Sequence, residues 1–232
     1  MAITIKSERE IELMAEAGKI LERVHNELEK ALHPGMSTKD IDTLGEKIIR
    51  SYGCIPSFLN YNGYPASICV SVNQEVVHGI PDKHRIIHEG DIVSLDAGVI
   101  YKGYHSDAAR THAVGEVSEE AKKLIQVTKE CFFEGIKYAK AGNHLFDISG
   151  AIGRYAEERG YGVVRDLCGH GIGTALHEAP EIPNYEVGRK GVKLRPGMTL
   201  AIEPMINIGT YEVDWLVQSG ELRAHHSAFA AL

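Results

Sequence analysis

Apolar residues at Ile11, Met14, Ile20, Leu21, Val24 and Leu28 recur at three-to-four-residue spacing, which predicts an amphipathic helix over residues 7–32. Ser7 and Glu10 stand at capping-box spacing at its start. HPGM breaks the pattern, and STKDIDTLGEKIIRSYG predicts a second helix, capped by Ser37 or Thr38 and stopped near Gly53. From about residue 67 to 113 the texture changes to the short β-branched runs SICVSV, DIVSLDAGVI and SDAARTHAV, parted by turn residues. Helical spacing then returns in SEEAKKLIQVTKECFFEGIKYAKAG and in LFDISGAIGRYAEERGYG. Strand-like runs follow again in GVVRDLCGH, MTLAIEPMINIG and the terminal segment.

The order helix, helix, strands therefore occurs twice. A shift of 107 residues superposes Gly35 on Gly142, Asp40 on Asp147, Ile41 on Ile148, Gly53 on Gly160 and Val24 on Cys131. These patterns predict one α+β domain over residues 1–232, built from similar halves at about 8–113 and 115–232, with helices covering antiparallel strands.

Composition changes this picture little. A hydrophobic content of 44% and a charged content of 25% are those of a soluble globular chain. The net charge of −7, with no long basic run, argues against nucleic acid as the main partner. No stretch has the length of a signal-peptide core or a membrane span, so a cytoplasmic protein with no membrane partner is expected. The four cysteines are scattered, which suits a reducing compartment.

Chemistry concentrates in four segments. IVSLDAG, YKGY and HSDAART read as a hairpin; if Lys102-Gly103 is a two-residue loop, Asp96 and Asp107 become diagonal neighbours on one face. Carboxylates that close repel unless a proton or cation lies between them, the alternative being two exposed aspartates flanking a turn. In CGHGIGTALHEAP, Gly169, Gly171 and Gly173 clear the surroundings of His170, and His177 lies at the far end of the same segment. This is either a ligand-approaching loop or a glycine-rich turn with a satisfied histidine. TLAIEPM places Glu203 inside an apolar strand, a costly position for an unpaired carboxylate. His78 ends the run EVVHGIP. Asp96, Asp107, His170 and Glu203 together offer three oxygen donors and one nitrogen donor, a set suited to Mn²⁺, Fe²⁺, Co²⁺, Zn²⁺ or Mg²⁺.

The motifs YNGYPASICVSVNQEVVHGIP, DIVSLDAGVIYKGYHSDAART, CGHGIGTALHEAPEIPNY and LAIEPM, in this order, resemble the type I methionine aminopeptidases in their short bacterial form. The resemblance covers the chain from the first helix to about residue 210 and implies the pita-bread fold. It implies a pair of divalent metal ions held by Asp96, Asp107, His170 and Glu203, with His78 and His177 contacting the substrate and the developing oxyanion. It further implies a methionine side-chain pocket lined by Phe58, Tyr61, Tyr64, Cys69, Leu176 and Trp215. The activity implied is removal of the initiator methionine from nascent chains with a small second residue, by a monomer acting in the cytoplasm at or near the ribosome. The proline-specific pita-bread peptidases share the ligand logic, and inactive pita-bread binding proteins keep the fold.

The chain departs from that family at its end. Where the family's last strand reads approximately Ala-His-Phe-Glu-His-Thr, this sequence reads AHHSAF, which sets Ser227 in place of a bridging glutamate, His226 in place of the Phe and Ala228 in place of the following His. Glu221 has the parity for the same face but lies six residues away, roughly 20 Å along a strand. The expectation is an intact four-ligand scaffold with a weakened second metal site. Leu167 before CGHG, where an aromatic residue or methionine is usual, is a minor departure.

Overall fold

The structure, a computed structural model, describes residues 2–215, 222–224 and 229–231. In the first half, helix α1 (Glu8–Ala31) and helix α2 (Thr38–Ser51) precede strands β1 (Ile55–Pro56), β2 (Ile68–Val72), β3 (Glu75–Val77), β4 (Ile92–Tyr101) and β5 (Tyr104–Ala113). In the second, helix α3 (Glu119–Ile136) and helix α4 (Leu145–Glu157) precede β6 (Tyr161–Val163), β7 (Gly169–Gly171), β8 (Glu178–Ile182), β9 (Leu200–Ala201) and β10 (Met205–Ile208). Three further short strands are β11 (Val213–Trp215), β12 (Leu222–Ala224) and β13 (Phe229–Ala231).

Local sequence accounts for the helix starts. Ser7 accepts from the Glu10 amide while the Glu10 carboxylate accepts from the Ser7 amide, and Ser37 with Asp40 repeats the arrangement on α2. The buried face of α1 runs through Ala17, Leu21, Val24, His25 and Leu28, whereas Ile11 remains exposed. Helix α3 stops at Ile136, short of the periodic pattern, because Tyr138 and Ala139 donate to Gly135 and Ile136 in tighter three-residue turns. One core packs α1 and α2 on β2 and β4 through Leu21, Val24, Ile41, Ile68, Val70 and Leu95; a second packs α3 and α4 through Leu124, Cys131, Ile148, Ile152 and Ile206. Each fully buried aliphatic side chain stabilises the fold by about 1.5–3 kcal/mol.

The internal repeat extends to the hydrogen bonds. Gly35 donates to Ile87 O at 2.9 Å and Ile87 to Met36 O at 2.9 Å; 107 positions on, Gly142 donates to Leu194 O at 3.0 Å and Leu194 to Asn143 O at 2.8 Å. The bridges Ser37 to Ile86 and His144 to Lys193 are related by the same shift. Gly35 and Gly142 both have left-handed backbones, with φ of 94° and 99°, which explains glycine at both places. Asp96 falls on Glu203 under this shift, so two candidate ligands occupy corresponding positions.

All described strand pairs are antiparallel and form four small sheets rather than one unbroken ladder. β4 is central in the largest, with β5 on one edge and β1 and β2 on the other. The second half is interrupted at Ile202–Pro204, between β9 and β10, where the sequence pattern predicts continuous strand. Pro204 has no N–H to donate to a ladder, so the backbone leaves the sheet beside Glu203. β12 pairs with β3, which joins a strand of the second half to one of the first.

Candidate metal centre

The first two candidate ligands come from a tight hairpin. Lys102 and Gly103 form its two-residue loop with φ of 49° and 86°, and Tyr101 pairs with Tyr104. In that register Asp107 lies opposite Gly98 and Asp96 opposite Ala109, so both carboxylates share one face as diagonal neighbours. Cys69 on β2 faces Asp96 across the other edge. Gly98 leaves room here, since a Cβ on it would lie 2.7 Å from that of Ser57.

His170 occupies the middle of β7, which is held between β8 and β9. The glycines beside it have a different use from the one suggested by the sequence. A Cβ at Gly169 would collide with the Ala201 carbonyl, and one at Gly171 with the Ala179 carbonyl. It is neighbouring backbone that needs the space. Gly171→Ala is accordingly expected to destabilise the protein by about 1–3 kcal/mol, read as a lower urea midpoint at unchanged slope.

The imidazole is fixed at one nitrogen and available at the other. Nδ1 lies 2.8 Å from Gly171 O and donates to it, which turns Nε2 toward Asp107 Oδ2 at 3.6 Å and Glu203 Oε1 at 3.1 Å. The Glu203 oxygen is buried and makes no aligned hydrogen bond. Burial alone would lower the His170 pKa, but the Asp107 and Glu203 carboxylates that face its Nε2 outweigh it and push it up to about 10. Asp96 is buried beside Asp107 and Glu203, and desolvation followed by their repulsion holds its carboxyl well above the usual carboxylate range. Desolvation also raises Glu203. Without a cation this cluster keeps protons, and a cation is the group that would take their place. Ligating atoms of Asp107, His170 and Glu203 all lie within 4.8 Å of one another; Asp96 is outside that closest set. The donor chemistry and the orphaned oxygen fit a divalent ion. Asn184, fully buried, donates from Nδ2 to the Glu203 carbonyl at 2.7 Å and steadies the backbone there. No sequence pattern singled it out.

These groups line a cavity of roughly 490 Å³ that also receives Phe58, Tyr61, Tyr64, Cys69, Leu176, His78 and His177. Sequence reasoning did not single out Val77, Ile80 and Met205, which also line it. Trp215 stands apart from these groups: it is half exposed on β11 and donates from Nε1 to Asp166 at 3.3 Å. The three-residue strand carries it to the surface. His78 has a left-handed backbone with φ of 61°, an uncommon state for a non-glycine residue. The His177 ring meets that of His170 edge-on at 4.1 Å, and its Nδ1 is 2.7 Å from the Tyr61 hydroxyl. Burial, then the neighbouring His170 charge, lowers the His177 pKa to about 4, so its ring is neutral near pH 7. Ser227, His226, Ala228 and Glu221 lie outside the described residues. Among the described residues no helix is long and apolar enough to cross a membrane.

Residues 12–227 match metallopeptidase family M24. The chain is 56% identical to the methionine aminopeptidase of Clostridium acetobutylicum over 99% of its own length and 95% of the relative's. The crystal structure of the methionine aminopeptidase from Rickettsia prowazekii superposes with a TM-score of 0.96 at 38% identity, covering 99% of this chain and 93% of that one. An Xaa-Pro dipeptidase from Bacillus anthracis aligns less fully, with a TM-score of 0.75 at 30% identity and 57% of its chain covered. The antiparallel sheets, four helices and internal repeat are the pita-bread arrangement, and the chain belongs to the methionine aminopeptidases of metallopeptidase family M24.

Proposed function

We propose that the chain removes the N-terminal methionine from peptides and nascent proteins with a small second residue, and that residues 1–232 act as one catalytic unit. The observation that carries this reading is the convergence of His170 Nε2 with carboxylate oxygens of Asp107 and Glu203 in a cavity walled by apolar, aromatic and sulfur-bearing side chains. Asp96, Asp107, His170 and Glu203 would hold the divalent metal, of which Mn, Fe, Co and Zn are the candidates. When bound, such an ion supplies Lewis acidity, which acidifies water and polarises a carbonyl.

The chain's own residues do the rest. Glu203 takes a proton from water in this reading, which its oxygen free of other hydrogen bonds supports. Tyr61 donates to His177 Nδ1, which leaves Nε2–H of a neutral ring to stabilise an amide oxygen as negative charge develops. His78 contacts the substrate from the end of β3. Phe58, Tyr64, Cys69 and Leu176 receive the thioether, for which aromatic and sulfur neighbours are favourable partners. Asp96 draws the free α-amino group, which makes the activity an exopeptidase one. Nascent chains in the cytoplasm, at or near the ribosome, are the proposed substrates, and a monomer suffices because the donors come from one chain.

The second metal position is proposed to be weakened by Ser227. Hydrolysis of Met-Ala-Ser with Mn²⁺, Co²⁺ or Fe²⁺ tests both statements when the wild type is compared with Ser227→Glu. The variant is expected to be at least about tenfold more active and to bind a second ion in calorimetry. Stoichiometric binding of two ions with unchanged activity in the variant would overturn the weakened site. Absence of hydrolysis in both would favour the binding-protein alternative.

A further inference from the structure

The residue before the first helix cap points to a part of the machinery outside the ligand set. Lys6 stands near the chain start, yet its side chain is only 3% exposed. Its ammonium donates to Glu178 Oε2, whose side chain is 12% exposed, across 172 residues of sequence. The Lys6 amide also donates to Gly197 O at 2.7 Å, which fixes the approach of the segment. A buried ion pair adds little net stability, because desolvation of both charges offsets most of their attraction. Its placement is therefore the informative property.

Glu178 is the first residue of β8, and the loop Ile172–His177 joins it to β7. The other Glu178 oxygen accepts from the Ala175 amide at 3.3 Å, so the carboxylate closes the loop on itself while the ammonium holds it from below. Gly173 belongs to the same packing: a Cβ there would collide with the end of Lys6 and with Glu178. The loop carries Leu176, a wall of the cavity, and His177, the residue adjoining the ion pair. Its remaining ties include the His105 amide to Gly173 O at 2.8 Å and the Tyr61 hydroxyl to the His177 ring.

We propose that Lys6 is a positioning residue, which through its buried pair with Glu178 holds the Ile172–His177 loop and sets His177 and Leu176 in one place at the cavity. The catalytic part of this statement rests on the proposed peptidase function; the ordering of the loop does not.

The test uses the full chain as wild type, Lys6→Met, and Lys6→Met combined with Glu178→Gln. Amide hydrogen exchange over residues 172–178, the ring-nitrogen NMR signals of His177, thermal unfolding, and kcat and KM for Met-Ala-Ser with a divalent ion are measured. In both variants, exchange in the loop is expected to rise about tenfold and the His177 ring signals to average. The double variant is expected to recover the melting temperature lost by the single one, since it no longer strands a buried carboxylate. Its kcat should stay about tenfold or more below wild type with KM within about twofold. Unchanged exchange and ring signals in both variants, or a kcat that recovers together with melting temperature, would overturn the positioning role. A wild type that cleaves no methionyl peptide counts against the functional reading alone, because exchange and ring signals still decide the role of Lys6.

Discussion

Replacing His170 by alanine is expected to lower kcat/KM for a methionyl peptide by about 10³-fold or more, roughly 4 kcal/mol of transition-state stabilisation. The reason lies in the asymmetry of the site. Asp96, Asp107 and Glu203 would be the oxygen donors, and His170 the nitrogen donor, whose Nε2 faces two of them at 3.6 and 3.1 Å. The Nδ1 bond to Gly171 fixes the ring angle, so a cation that displaced the Nε2 proton would meet a nitrogen already aimed at it. Alanine removes that donor and leaves mutually repelling carboxylates. Calorimetry with Co²⁺ should show affinity falling by at least about tenfold in the variant. Equal affinity in the two proteins would mean that the ion sits elsewhere.

A second large effect is expected on acidification, and its source is on the far side of β5. His25 of α1 is fully buried, with Nε2 2.9 Å from the Ala108 carbonyl and Nδ1 without a partner. Burial, followed by the Arg110 charge, lowers its pKa from 6.5 to about 3. The folded state thus keeps the ring neutral where the unfolded chain protonates it. Between these values the unfolded state binds more protons, so stability falls as pH falls. The contribution is complete above about pH 6.5, declines by about 1.4 kcal/mol per pH unit, and is exhausted near pH 3, a total of about 5 kcal/mol. His112, also lowered by burial, adds in the same direction. His25→Gln keeps a donor without the titration, so its urea stability should fall less steeply than wild type between pH 6.5 and 4. Parallel profiles would show that His25 is not the group responsible. Because Ala108 follows Asp107, the same protonation would disturb the ligand hairpin.

How much of this was legible in the sequence depends on the range of each interaction. The capping pair Ser7 with Glu10 is three residues apart, and α1 begins where it indicates; for α2 the structure selects Ser37 from the two caps offered and pairs it with Asp40. The YKGY loop sets the register of its own hairpin, so the face shared by Asp96 and Asp107 could be read directly. Glu203 stood out because a carboxylate in an apolar run demands a partner, although the strand break at Pro204 did not. The resemblance supplied the fold, and Phe58, Tyr61, Tyr64, Cys69 and Leu176 meet at one cavity, whereas Trp215 lies on a strand that carries it to Asp166. What escaped joins distant segments: Lys6 to Glu178, Tyr61 to His177 across 116 residues, Asn184 to the Glu203 backbone. No periodicity encodes such pairs. The glycines around His170 were legible as a need for space, but only the fold shows that the Ala201 and Ala179 carbonyls occupy it.

The division of the donors between the two repeats has a thermodynamic consequence. Asp96 and Asp107 belong to the first half, His170 and Glu203 to the second, so neither half alone presents more than two of the four side chains. A cation gripped by both would act as a clasp whose free energy of binding is also free energy of cohesion. Affinity and cohesion are then linked quantities. Whatever loosens the seam weakens the grip, and chelation makes parting of the halves easier even where no residue between them has changed.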